Sequence, residues 1–328
     1  MRHDEGQAVQ SMLPQDHQLE ELVEASCSRI LAELDCHAPF LGEKVSQWMA
    51  QLSPTGRAPD YFLQPRMFPF LRLPLWAMRS FTAEVDREFL ADLVHSTING
   101  YYYIRLLDNL MDGHETIELK ILPATAFFHG EFQAAYHKYF DADHPFWKVF
   151  RSAWFSGSDA VAHEVDMDCI DTADFEQVTV AKLAGVRIPL AAVGFRHGAG
   201  DRLRRWEEFA LALARWSQME DDLFDWHHDL QHGKPSHFLT EAHQRKGDDT
   251  VESWIIREGF EQGMEALERE LFDLRRWAVP LKSADVMRYL EFRETMLAEQ
   301  KTTIGEAFQT LKAVANVVEG SGSHVSHH

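Results

Sequence analysis

The stretch YYYIRLLDNLMD, residues 101–112, places Tyr101, Arg105, Asp108 and Asp112 at successive steps of four, three and four. At about 100° per residue these steps keep to one narrow stripe of an α-helix. Ile104, Leu106, Leu107, Leu110 and Met111 surround the stripe, so the helix is apolar nearly all round, the pattern of a buried element. Buried carboxylates need partners, because an unpaired charge in such a place costs roughly several kcal/mol. A second stretch, WSQMEDDLFDWHHD at 216–229, repeats the arrangement. Gln218, Asp221, Asp225 and Asp229 follow at three, four and four, flanked by Trp216, Met219, Leu223, Phe224 and Trp226.

A lone acidic pair one turn apart is ordinarily a solvated helix face. Two acidic stripes, each in an apolar helix, make sense if they face a shared cavity that holds divalent cations. All the donors are hard oxygens and none is a thiolate, which points to Mg²⁺ rather than Zn²⁺. Mg²⁺ keeps several waters and shares its remaining positions with phosphates, so the implied ligand is a diphosphate.

The rest of the chain agrees with an all-α protein. Apolar residues recur at helical spacing in 17–35 (Leu19, Leu22, Val23, Ile30, Leu31, Leu34), and helices are expected over 84–112, 124–140, 146–164, 174–197, 202–230, 250–277 and 283–316. Pro189 is expected to kink the helix over 174–197. Residues 53–74 hold several prolines and suggest a loop. Period-two alternation is missing. The expected organisation is a frayed end over 1–15, one helical domain over 16–318 and a disordered tail over 319–328. The formal net charge of -20 excludes general attraction to nucleic acid, so an anionic ligand must meet local cations or metal ions. Three cysteines, Cys27, Cys36 and Cys169, form no pattern and suit a reducing, cytoplasmic setting. No apolar run of membrane-spanning length and no secretory leader is expected.

At the two acidic stretches the chain resembles the squalene/phytoene synthase branch of the class I isoprenoid synthases. Tyr101, Arg105, Leu107, Asp108 and Asp112 match that family's first aspartate motif, and Gln218, Asp221, Asp225, Asp229, Gly233 and Lys234 match its second. The run VAKLAG at 180–185 is similar to the family's Val-Ala-Gly segment, and Arg79-Ser80-Phe81 to its diphosphate-binding entry. The likeness covers roughly residues 79–239. There are departures. Asn109 stands where phytoene-type members carry a second Asp, and Glu176 and Thr179 occupy the region of the tyrosines tied to head-to-head condensation. Lys182 and the Gly233-Lys234-Pro235 run resemble the linear prenyl-chain synthases instead.

The resemblance implies a single-domain helical bundle with a central active-site cavity, a cluster of Mg²⁺ ions for which Mn²⁺ can substitute, and a prenyl diphosphate substrate. Asp108, Asp112, Asp221 and Asp225 are the expected catalytic metal ligands, joined by Asp229, with Asn109 and Gln218 ligating or orienting water. Arg79, Ser80, Tyr101, Arg105, Lys182 and Lys234 are the expected diphosphate and substrate contacts. For Arg105 an ion pair with Asp108 or Asp112 is the equal alternative, and for Lys234 a solvated loop position. Tyr101, Phe128, Trp154, Phe155, Phe195, Trp216 and Phe224 could shield a carbocation, though core packing explains each of them as well. The implied activity is that of a terpene synthase acting on one prenyl diphosphate. A prenyltransferase joining two diphosphates is the alternative, followed by a non-catalytic binding module. A di-metal helical protein is a further one, for which His163-Glu164, His227 and His228 are present but Glu-x-x-His is not. A homodimer is compatible with all of these.

Overall fold

The computed structural model describes residues 16–111 and 119–322. Asp112 lies outside the described residues, as do the first fifteen and the last six. Helix accounts for 82% of the structure and no strand occurs among the described residues, so the fold class is all-α. By its internal contacts the chain divides into two compact units. One comprises 1–158, 184–210 and 281–283, the other 159–183, 211–280 and 284–328.

The first unit begins with α1 (His17–His37), capped by Asp16, whose carboxylate accepts from the Leu19 N–H at 3.3 Å. Next come α2 (Pro39–Leu52), α3 (Ala58–Leu63), α4 (Arg72–Phe81), α5 (Arg87–Met111) and α6 (Ala124–His137), then the start of α7 (Phe146–Val165). The proline-bearing region 53–74 is thus not all loop. Pro74 sits in the first turn of α4, where a missing N–H costs no helix bond. The core stripe of α5 runs Ile98, Asn99, Tyr102, Leu106 and Asn109. Tyr102 packs on Trp48 and Phe128, each at a ring separation of 5.5 Å. Asp92 of α5 is held at the end of α6 by Lys138 at 2.7 Å and by the Tyr139 hydroxyl at 2.7 Å.

That stripe corrects the expectation that α5 is buried all round. Ile104 is 42% and Met111 45% exposed, because the core takes the Tyr102–Leu106–Asn109 line and leaves the neighbouring lines open.

The segment from α8 (Thr172–Asp174) to α10 (Arg187–Arg196) is not one regular helix. A π-turn covers Phe175–Thr179, α9 is the short Val180–Lys182, and a 3₁₀ turn covers Leu183–Val186. Pro189 lies in the first turn of α10, and the tight turn before it accommodates the lost donor and the bulk of its ring. The stretch Thr172–Arg196 is long and apolar enough by composition to cross a bilayer, a test that core helices also pass, so it is consistent with the expectation of no integral membrane segment. Its apolar window is 59% buried within the protein, as befits a core helix.

In the second unit α11 (Asp201–Phe224, from Leu211 onward) leads to α12 (Trp226–His232), α13 (His237–Arg245), α14 (Val251–Trp254), a π-turn at Ile255–Gly259, α15 (Phe260–Ala278) and α16 (Ala284–Gly322). Arg293 of α16 is 2% exposed. It lies 4.6 Å over the Trp216 ring, donates to the Tyr289 hydroxyl at 3.0 Å and pairs with Glu220. The Trp216 indole donates to the Leu267 carbonyl at 3.0 Å, which ties α11 to α15.

Helices α5 and α6 meet at Gly100, where a Cβ would lie 2.8 Å from Cδ2 of Phe132. Overpacking of this kind costs about 1–3 kcal/mol. Gly100→Val should therefore lower the urea midpoint of unfolding with little change in slope. A midpoint equal to that of the parent protein would contradict the close packing.

Candidate functional site

The first acidic stripe, on α5, starts at Tyr101. Its hydroxyl bonds the Tyr61 hydroxyl of α3, its ring stacks on Phe70 at 5.2 Å, and Phe62 meets it edge-on at 5.5 Å. Burial, and next the neighbouring Tyr61, push the Tyr101 phenol well above its ordinary range, so it stays neutral. One turn on, Arg105 lies 3.5 Å from Asp108, with side chains 40% and 44% exposed. The ion-pair alternative for Arg105 is thus the arrangement seen. An exposed pair of this kind contributes about 0–1 kcal/mol, so either partner can leave it for a ligand. Asn109 does not share the face of Asp108. It lies on the buried stripe with Tyr102 and Leu106, about 100° round the helix from Asp108.

The second stripe keeps its line through a break. At Asp225 the backbone leaves helical geometry (φ -95°, ψ 2°) between α11 and α12. The Asp225 N–H still donates to the Asp221 carbonyl at 2.8 Å, and the Asp229 N–H to that of Asp225 at 3.0 Å. Asp221, Asp225 and Asp229 therefore stay one turn apart. Gly233, at φ 64°, ends α12 in the left-handed conformation that glycine adopts without strain, and the Lys234 N–H then donates to the Asp229 carbonyl at 2.9 Å.

Asp222 and Gln218 form a separate structural pair. The Gln218 amide donates to Asp222 at 3.0 Å, and the His237 N–H donates to the other oxygen at 3.0 Å. Asp222 is buried, and this pair anchors the start of α13. Gln218 thus gives one of its amide N–H groups to Asp222.

Electrostatics single out Asp221. Its surface is open to solvent, yet the protein around it removes enough solvation to push its carboxyl up to about 7. Glu220, Asp225 and Asp222 add to the rise, and Arg293 opposes it. Asp229 is raised as well, first by burial; Asp225 adds to this, while His228 and Lys234 pull it down. The stripe is a place where negative charge is crowded and incompletely neutralised.

Other expected contacts are engaged in the fold. Lys182 pairs with Glu164 of α7. Arg79 lies 2.8 Å from Asp16. Ser80 donates to the Ala77 carbonyl at 2.8 Å and accepts from the Trp206 indole at 3.1 Å. The structure thus brings together Tyr101, Arg105 and Asp108 on one helix, and Asp221, Asp225, Asp229 and Lys234 around another. Arg79, Ser80 and Lys182 are held by structural partners. Among the aromatic candidates Phe128 and Trp216 are core residues. Trp154 packs on Phe132 at 4.8 Å and Phe195 on His144 at 5.2 Å, Phe224 lies 6.0 Å from Phe260, and Phe155 is 63% exposed.

Two arginines went unnoticed in the sequence. Arg215 joins Glu176 and, at 2.7 Å, Glu270, which gives a partner to the Glu176 that stands in the region of the family's tyrosines. Arg293 neutralises Glu220 beside Asp221. The available signal was a cation inside an otherwise apolar helical stripe, since such residues are rarely buried without a partner.

Among the described residues no group of three or more His, Cys, Asp or Glu is placed to hold one metal ion. The donor set still fits Mg²⁺, which takes one or two carboxylates and fills its shell with water and phosphate. A cation at Asp221 and Asp225 would relieve the repulsion that raises Asp221. Compared with known protein families the chain matches no family model, and no curated protein matches it.

Because the folded-state pKa of Asp221 is raised, the folded chain keeps a proton that the unfolded chain loses between about pH 4 and pH 7. Stability from this group therefore falls as pH rises through that window. Asp221→Asn should raise the melting temperature at pH 8, with the difference shrinking towards pH 4. Equal melting temperatures at pH 8 would mean that Asp221 is not strained by its neighbours.

Proposed function

We propose that the chain is a Mg²⁺-dependent class I terpene synthase that ionises an allylic prenyl diphosphate, cyclises or eliminates the carbocation and releases pyrophosphate. The observation that carries this reading is the Asp221–Asp225–Asp229 line, kept in register through a helix break, with the Asp221 carboxyl pushed up to about 7 by burial and by the neighbouring Glu220 and Asp225. A protein keeps such a destabilising cluster where function needs it. When bound, Mg²⁺ supplies charge stabilisation for the departing diphosphate.

In this reading Asp221, Asp225 and Asp229 are the carboxylates of one metal-holding motif, and Asp108 and Asp112 those of the other. Arg105, released from its exposed pair with Asp108, donates to diphosphate oxygens, and Lys234 does so from the end of α12. Tyr101 acts as a positioning residue: its bond to Tyr61 and its stack on Phe70 fix the face of α5 that carries Arg105 and Asp108. Lys182 pairs with Glu164 of α7 and would have to leave that pair to meet diphosphate.

The test is turnover with Mg²⁺ and C10, C15 or C20 allylic diphosphate, reading pyrophosphate and extracted hydrocarbons. A hydrocarbon or alcohol from a single substrate, lost with EDTA, is expected. Asp108→Ala and Asp225→Ala should each lower kcat by at least about 100-fold, the equivalent of roughly 3 kcal/mol, with helix content unchanged. Product formed only when isopentenyl diphosphate is added would assign a prenyltransferase instead. Near-normal rates in both variants would remove these aspartates from the chemistry.

A further inference from the structure

We propose that a cavity between α15 and α16 binds a small, neutral, largely apolar molecule that carries one hydroxyl group. The cavity has a volume of about 220 Å³. Ile256, Phe260 and Met264 line it from the π-turn and α15, and Gly305 and Phe308 line it from α16. None of its lining residues belongs to the acidic stripes or to the expected diphosphate contacts, and the inference does not rest on the proposed activity.

The walls follow from local structure. Ile256, Phe260 and Met264 succeed one another at steps of four across the junction of the π-turn with α15, which puts them on one side. Phe260 and Met264 are buried, and Phe308 meets the Phe260 ring edge-on at 5.1 Å. A π-turn reshapes one face of a helix, and such turns occur often at functional sites. Gly305 keeps the space open. It lies in the interior of α16, where glycine is less favourable than alanine. A Cβ at this position would meet no neighbouring heavy atom within 4 Å, so close packing does not demand the glycine. What the missing side chain leaves is room for a ligand.

The charged residues of the lining decide the ligand's charge. Arg257, Glu261 and Lys301 complete it. Arg257 is held by Asp249 and, at 3.1 Å, by Glu258. Lys301 donates to both oxygens of Glu268, at 2.8 and 3.0 Å. The two cationic heads are thus matched by acids outside the lining, and their aliphatic stems add to the apolar wall. An ionised ligand would lose its hydration without gaining an unmatched partner. A hydroxyl can bond the polar mouth while the apolar body fills the interior. An apolar cavity of about 150 Å³ admits benzene, so this one admits a body of roughly nine non-hydrogen atoms.

The test is calorimetric titration of the full chain with 2-phenylethanol, a neutral alcohol of that size, beside phenylacetate and 2-phenylethylammonium, which put a charge on the same frame. One equivalent of 2-phenylethanol should bind, and both charged analogues should bind about tenfold or more weakly. Gly305→Leu fills the space and should abolish binding, while its circular dichroism stays that of the parent because the new side chain has room. Gly305→Ala, which adds a single methyl, should weaken binding less than Gly305→Leu does. No uptake by the parent chain, equal affinity for the charged analogues, or an unchanged titration in Gly305→Leu would overturn the proposal.

Discussion

Two backbone hydrogen bonds, from Asp225 to Asp221 and from Asp229 to Asp225, hold three carboxylates in line where the helix would otherwise change direction. Burial raises the Asp221 carboxyl most, and the charges of Glu220, Asp225 and Asp222 add to the rise. The neighbouring structure sustains this arrangement. Gly233 closes α12 and turns the Lys234 N–H onto the last aspartate of the line, Asp222 is withdrawn into the pair with Gln218, and Arg293 holds Glu220. Each of these engages a neighbour of the line.

The chain carries a formal net charge of -20, and most cations named for diphosphate binding are matched by its own carboxylates: Lys182 by Glu164, Arg79 by Asp16 and Arg105 by Asp108. A polyanionic ligand that uses these cations would have to displace these pairs. Charge brought by a divalent ion resolves the difficulty, since the ion meets the carboxylates and the diphosphate together.

Legibility in the sequence tracked the physics of each feature. The helical class and most helices could be read, because apolar periodicity is a local property of the chain. The spacing of Asp221, Asp225 and Asp229 also survives in the structure, since steps of four need only the backbone bonds of one turn. Other features depend on what lies across a packed surface. Nothing in the α5 sequence tells that Asn109 shares the buried line with Tyr102 while Ile104 stays open. The anchoring of Gln218 to Asp222 needs His237, fifteen residues on, and the partner of Lys182 lies on another helix. The breaks at Asp225 and around Pro189 arise where local chemistry and tertiary packing compromise, and neither is visible in hydrophobic spacing alone.

The central claim is that the acidic line on α11 and α12 exists to hold divalent cations together with a diphosphate. Electron paramagnetic resonance of Mn²⁺, used in place of Mg²⁺ and titrated with inorganic pyrophosphate, tests it most directly. The account predicts bound Mn²⁺ that depends on pyrophosphate in the parent chain and disappears in Asp225→Ala. Equal binding in the two proteins, or no bound Mn²⁺ with pyrophosphate present, would contradict it.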